Sequence, residues 1–170
     1  MKADELKSLQ APIKERYRKQ PKAALITLRA EGWIGEGVTC SVATGKALVE
    51  AGLHPATGGD GLSACSGDML LEALVACAGV TLSAVATALN IPLRDAKIRA
   101  EGDLDFRGSL GVSKETPAGF QRIRLYFDLH TTATEEQVNT LMRLTERYCV
   151  VYQTLKAAPQ IDVVPQLAPG

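Results

Sequence analysis

The sequence predicts an α+β fold, and three observations carry that reading. Two segments, "AKIRAEGDLDFRG" (residues 96–108) and "QRIRLYFDLH" (121–130), alternate strictly between apolar and polar residues, the period-two pattern of strands with one dry face and one wet face. A 21-residue run from Met69 to Leu89 carries a single charge, Glu72. The segment "TATEEQVNTLMRLTERYC" (132–149) places apolar residues three or four positions apart, the helical period. Strands, then helix, then strands, then helix is the order of an α+β domain.

The chain has 170 residues, enough for one domain with a sizeable core. Hydrophobic residues make up 46% and charged residues 22%, which suits a folded globular protein. Lys and Arg total 19, as do Asp and Glu. That balance argues against a global field drawing in nucleic acid or an anionic membrane. The local basic run "KERYRKQPK" (14–22) reads as a solvated helix end.

The first 20 residues hold no apolar stretch of signal-peptide length, so a cytoplasmic location is expected. The four cysteines, Cys40, Cys65, Cys77 and Cys149, contain no CxxC pair, and His54 and His130 lie far from them in sequence. No metal is expected from that spacing, and four free thiols are expected in a reducing compartment.

Element by element, residues 3–20 predict a helix ending before Pro21, with Pro12 marking its start or a kink. "AALITLRAEGWIGEGVTCSVATG" then predicts a hairpin, two β-branched runs joined through the Gly-containing "EGWIGEG". Val38, Cys40 and Val42 share one face of the second run, so Cys40 reads as a core strand residue. A third short strand is expected around "KALVEAG" (46–52). "LHPATGGDGLSACSGD" (53–68) reads as a long loop carrying Cys65.

The two alternating strands come after the apolar run, joined by the loop "SLGVSKETPAG" (109–119). Their dry face is expected to hold Ile98, Ala100, Gly102, Leu104 and Phe106 from one strand and Ile123, Leu125, Phe127 and Leu129 from the other. The following helix opens with Thr134 and Gln137 at capping-box spacing. Its stripe of Val138, Leu141, Met142, Thr145 and Cys149 turns Cys149 inward. "QIDVV" (160–164) is expected as a last short strand. His54, in a loop before Pro55, and His130, at the wet end of its strand, read as ordinary surface residues.

The run from Met69 to Leu89 is long enough to span a bilayer. No Lys or Arg cluster flanks it, small residues dominate it and the strands around it have a soluble pattern. It therefore reads as a core helix and not as a membrane span. A helix apolar on all sides must be covered on all sides. One sheet covers one side only, so a second copy of the chain is expected on the rest. By itself, Cys77 on this helix reads as a small core residue. It lies beyond the terminal turn where the helix dipole acts strongly, so a reactive thiolate there needs a cation from another element.

"SGDMLLEALVACAGVTL" (66–82) resembles the central-helix motif of the OsmC/Ohr superfamily, a "P-E-E-L-L-x-A-x-x-A-C" pattern that delivers a cysteine. "RYCVVYQTL" (147–155) resembles that family's second motif, "C-P-V-x-x-x-L", which delivers its partner. The resemblance covers roughly residues 24–165. It divides the chain into an N-terminal helical extension (1–22) and an OsmC-like domain (23–170). It implies an intertwined homodimer with long buried central helices packed on antiparallel sheets.

It also implies a cysteine-based peroxidase acting on organic, including lipid, hydroperoxides. Cys77 would become a sulfenic acid, Cys149 would condense with it to a disulfide, and an external dithiol would reduce the pair, with no metal or organic cofactor. The alternative is a non-catalytic dimeric module that senses oxidation or binds an apolar ligand.

Three positions depart from the family pattern. Where many relatives carry a carboxylate ten residues before the first cysteine, this chain has Gly67 with Asp68 beside it, and Glu72 is the other candidate. Val150 stands where the second motif usually has proline. "EGWIGEG" lacks the activating arginine of the relatives' early loop; Arg29 is the nearest, and Arg16 or Arg18 of a partner's N-terminal helix are further candidates. Trp33 is either a pocket-closing residue or an exposed aromatic at the hairpin tip. Cys65 reads as a loop residue.

Overall fold

A computed structural model describes residues 2–20, 31–34, 39–43 and 48–166. Arg29 and the expected strand at 24–29 lie outside the described residues, as do the side chains of Arg16, Arg18, Trp33 and Cys40. The chain opens with α1 (Ala3–Lys19), which contains Pro12 in its interior instead of starting there. Three strands follow: β1 (Glu31–Ile34), β2 (Thr39–Ala43) and β3 (Leu48–Gly52), each antiparallel to the next. "EGWI", expected in the hairpin turn, is itself β1 and pairs Ile34 with Cys40. Its glycine at 32 reads as a turn signal but is carried in the ladder opposite Val42.

The long Gly-rich loop is less plain than its composition suggests. A 3₁₀ turn spans Pro55–Thr57, where the His54 ring nitrogen Nδ1 accepts the Ala56 N–H at 3.0 Å. The same ring stacks on Phe106 at 5.0 Å, so His54 is a turn cap with a packing partner. The loop ends in β4 (Ala64–Cys65), a two-residue strand that runs parallel to β3. The four-stranded sheet is therefore mixed where an all-antiparallel one is expected.

Helix α2 (Ser66–Ala88) begins three residues before the apolar run, and Asp68 in its first turn complements the exposed amides there. It is 23 residues long with a mean hydropathy of 2.0 over its most apolar window, long and apolar enough to cross a membrane by length and composition. Within the single chain one stripe is buried: Leu74, Ala78, Leu82 and Ala86, at four-residue spacing. Each buried leucine contributes about 1.5–3 kcal/mol by leaving water. Other faces stay open, with Leu70, Val80 and Leu89 all exposed.

The stripe rests on β5 (Leu93–Asp103) and β6 (Arg122–Thr131), an antiparallel pair in the register Ile98 to Phe127 and Ala100 to Leu125. The alternation places Ile98, Ala100, Ile123, Leu125, Phe127 and Leu129 towards the core. On the wet face Arg124 binds Glu101 at 3.1 Å and Asp103 at 2.7 Å, and Arg99 lies 4.8 Å over the Tyr126 ring. Arg124 holds both carboxyls below their usual range through hydrogen bonds. Strand β5 stops at Asp103. The Asp105 carboxylate caps the Arg107 N–H at 3.1 Å and opens a short helix, α3 (Phe106–Ser109). That cap takes Leu104 and Phe106 out of the strand in which alternation alone places them.

Helix α4 (Glu135–Tyr148) has the expected capping box, with Thr134 and Gln137 each accepting the other's backbone N–H. Leu141 and Thr145 are its buried residues, and the Thr145 hydroxyl is satisfied by the Leu141 carbonyl at 2.8 Å. After Cys149 a second helix starts at once, α5 (Val150–Lys156). The segment 160–164 does not form the expected strand. A strand needs a ladder partner, and none of the described strands pairs with it. Ile161, Val163 and Val164 stand exposed.

Candidate functional site

Two thiols 72 positions apart in sequence meet in one core cluster. Cys77 is half-buried on α2, one position before buried Ala78, and packs against Cys149, which is only 1% exposed. Cys149 arrives there because it ends the inward stripe of α4, with its N–H bound to the Thr145 carbonyl at 3.0 Å. Leu74, Ile98, Ala100 and Leu125 surround the pair. Both cysteines are free thiols.

Cys149 is the C-cap of α4 and the N-cap of α5 at the same time. Its carbonyl accepts the Gln153 N–H at 3.0 Å, which closes the first turn of α5. Val150 is thus the first residue of a helix, a position where proline is favoured elsewhere because the N–H there has no helical acceptor. Having Val150 in place of proline leaves the turn intact and adds an amide donor. The first-turn amides of Val150 and Val151 favour the charged form of the Cys77 sulfur. The Thr81 hydroxyl, one turn further along α2, donates to the Cys77 carbonyl at 2.8 Å and lies within reach of the same sulfur.

These groups push the two thiols apart in acidity. Burial acts most strongly on Cys77 and raises it. The Val151 amide, the Cys149 thiol, the Val150 amide and the Thr81 hydroxyl together outweigh burial and make Cys77 more acidic than an ordinary cysteine. Cys149 moves the other way: burial raises it, and its hydrogen bond to Cys77 and the Cys77 charge add to that rise. A separation of this kind makes Cys77 the readier of the two to ionise and Cys149 the readier to keep its proton.

Cys77 is therefore expected to alkylate ahead of Cys149 between about pH 7 and 8. Its reactivity should fall as pH drops through its lowered pKa and the thiolate is protonated. Peptide mass spectrometry after limiting iodoacetamide reads the order, and equal labelling would contradict it.

The expected supporting carboxylates are not part of this cluster. Asp68 and Glu72 are exposed and line a groove of about 460 Å³ with Leu71, Val75, Ala76 and Ala100. Nine residues of helix turn Asp68 roughly 180° from Cys77. Among the described residues no guanidinium is one of the groups acting on Cys77; Arg29 and the side chains of Arg16 and Arg18 lie outside them. Cys65 is half-buried at the start of α2, about 18 Å along the helix from Cys77, beyond bridging distance. His130 is exposed on β6. Among the described residues no three His, Cys, Asp or Glu side chains gather into a metal site.

Near the thiols, α2, β6, α4 and α5 line an open pocket of about 540 Å³. Leu74, Leu125, Phe127, Tyr152 and Leu155 line it, with Lys156 among its polar residues. Leu74, Tyr152 and Leu155 also pack in the Cys149 cluster. The sequence reading missed the amides of Val150 and Val151, along with Thr81 and Tyr152. Thr81 was within reach of it, since a residue four positions after Cys77 lies on the same helix face.

Comparisons with known proteins agree with this fold. The family model described as OsmC-like protein matches residues 58–164. No curated protein sequence matches the chain. Among solved structures, the chain is similar to an OsmC-like protein from Mycoplasma pneumoniae, with a TM-score of 0.66 at 15% identity over 78% of this chain and 89% of that one. It is similar to an organic hydroperoxide resistance protein OsmC from Legionella pneumophila, with a TM-score of 0.58 at 18% identity over 79% and 92%. It is also similar to the organic hydroperoxide resistance protein OhrB of Bacillus subtilis, with a TM-score of 0.53 at 19% identity over 79% and 94%.

Proposed function

We propose, because the chain belongs to the OsmC-like protein family, that it is a thiol peroxidase reducing organic hydroperoxides through Cys77 and Cys149. The observation that carries this reading is the pair itself: two free thiols in one cluster, with Cys77 made more acidic and Cys149 less so. The Cys77 thiolate attacks the terminal peroxide oxygen. The O–O bond breaks, the alkoxide leaves and takes up a proton as the alcohol, and Cys77 becomes a sulfenic acid. The substrate carries the two electrons' worth of oxidation onto sulfur.

The second step follows from the first. While Cys77 is charged, its charge and the hydrogen bond it accepts help to hold Cys149 protonated. Conversion to a neutral sulfenic acid removes that charge, so Cys149 ionises more readily just when a nucleophile is needed. Its thiolate attacks the Cys77 sulfur, a disulfide forms and water leaves. A dithiol of a reducing cytoplasm restores both thiols, and itself becomes a disulfide. The apolar cavity bounded by Leu125, Phe127 and Leu155 suits an uncharged organic tail.

Addition of one equivalent of cumene hydroperoxide to the reduced protein is expected to remove two thiols as a Cys77–Cys149 disulfide. Mass spectrometry of the digested protein reads this. Intact thiols after minutes would overturn the peroxidase reading. A disulfide that forms once and that no dithiol recycles would favour a redox sensor.

The working form is a homodimer. The open face of α2, with Val80 72% exposed, and the exposed apolar residues of the tail support that proposal. Sedimentation equilibrium is expected to give twice the chain mass, and a monomer mass would remove it.

A further inference from the structure

Helices α4 and α5 meet at Cys149 with no residue between them. At such a junction the backbone of one residue, at φ −71° and ψ 107°, is the whole covalent link between the two helix axes. Side chains from α5 supply the bracing, and both reach the same residue of α4. The Tyr152 hydroxyl donates to the Glu146 carboxylate at 3.2 Å, and the Gln153 side-chain amide donates to the Glu146 carbonyl at 2.7 Å. The Tyr152 ring packs in the Cys149 cluster on one side and lies 5.7 Å from the Lys156 ammonium.

We propose that Glu146, Tyr152 and Gln153 form a positioning clasp that sets how α5 leaves Cys149, and with it where the Val150 and Val151 amides stand against the Cys77 sulfur. None of the three side chains is among the groups acting on the Cys77 sulfur; they act through the amides. The inference rests on the reading of Cys77 as the nucleophile. Burial, then the Glu146 charge, raises the Tyr152 phenol above its usual range, which keeps its proton available as a donor. The charged groups around the clasp are Glu146, Lys156 and Arg122.

The test is the pH profile of Cys77 alkylation by iodoacetamide in the full chain, followed by peptide mass spectrometry. Tyr152→Phe keeps the ring packing and loses one bond, and Tyr152→Phe with Gln153→Ala loses both. Each tie is a single hydrogen bond, so the double variant is expected to lower the rate at neutral pH about two- to tenfold. The midpoint should move to higher pH while the plateau at high pH stays unchanged. Glu146→Gln keeps an acceptor oxygen and is expected to retain the wild-type midpoint.

An unchanged midpoint in a folded Tyr152→Phe, Gln153→Ala variant would overturn the proposal. So would a shift in Glu146→Gln as large as in the double variant, since charge and not the clasp would then be the cause. Alkylation consumes no peroxide. A protein with the expected profile but no peroxide turnover would refute the peroxidase reading and leave the clasp standing.

Discussion

Cys77→Ser is expected to reduce hydroperoxide turnover to background, a fall on the order of 10⁴-fold or more, as when a catalytic nucleophile is removed. A serine hydroxyl is too weak an acid to ionise under the same amides. The groups that lower the Cys77 thiol, the Val151 N–H, the Cys149 thiol, the Val150 N–H and the Thr81 hydroxyl, act by stabilising a charge that serine does not carry. The substitution is close in size, and Cys77 is half-buried, so the fold should survive. Steady-state reduction of cumene hydroperoxide with a dithiol measures it. Cys149→Ser should separate the steps, with one equivalent of peroxide consumed at an undiminished initial rate and recycling impaired. Full turnover by the Cys77→Ser protein would refute the mechanism.

Leu141→Ala carries the largest expected loss of stability, about 2–5 kcal/mol, against a total of roughly 5–15 kcal/mol for a domain. Leu141 is fully buried on α4 and packs with Leu82, Ala86 and Ile91. Removing it takes apolar contacts from both helices and leaves a cavity that a two-stranded sheet cannot close over. For a chain of this size the melting temperature should fall roughly 2–4 °C for each kcal/mol. Leu141 belongs to the cluster that does not include the cysteines. The Cys77 alkylation profile below the transition should therefore stay close to wild type, and calorimetry with alkylation on one sample checks both expectations.

The elements legible in the sequence are those with a long period. α2, β5, β6 and α4 each repeat their pattern over ten residues or more, and the capping box marks the start of α4 within one residue. Among the short elements β2 and β3 were legible, at five residues each, but others were not. β1 is four residues with a glycine in it, α3 owes its start to one Asp105 side chain, and α5 follows Cys149 without a gap. The tail shows the opposite failure, with strand-like residues at 160–164 but no ladder partner among the described strands.

In the site, Cys77 and Cys149 were legible because thiols are rare and the two motifs around them are recognisable. The donors that act on Cys77 were not. A backbone N–H carries no residue identity, so Val150 and Val151 become visible only when α5 is seen to begin where it does. Asp68 and Glu72 show the limit of a linear motif: both precede Cys77 by a few residues, and the helix turns both away from it.

Under the proposed peroxidase reading, the near-complete burial of Cys149 governs which sulfur the reductant meets. At 1% exposure, Cys149 offers no approach for an external dithiol once the disulfide has formed, whereas the Cys77 sulfur remains half-open on the α2 side. In the proposed cycle the incoming thiolate joins Cys77, the transient mixed disulfide sits on α2, and Cys149 departs into the shelter of the Tyr152 and Val151 amides. In that cycle, exchange is confined to one end of the bond.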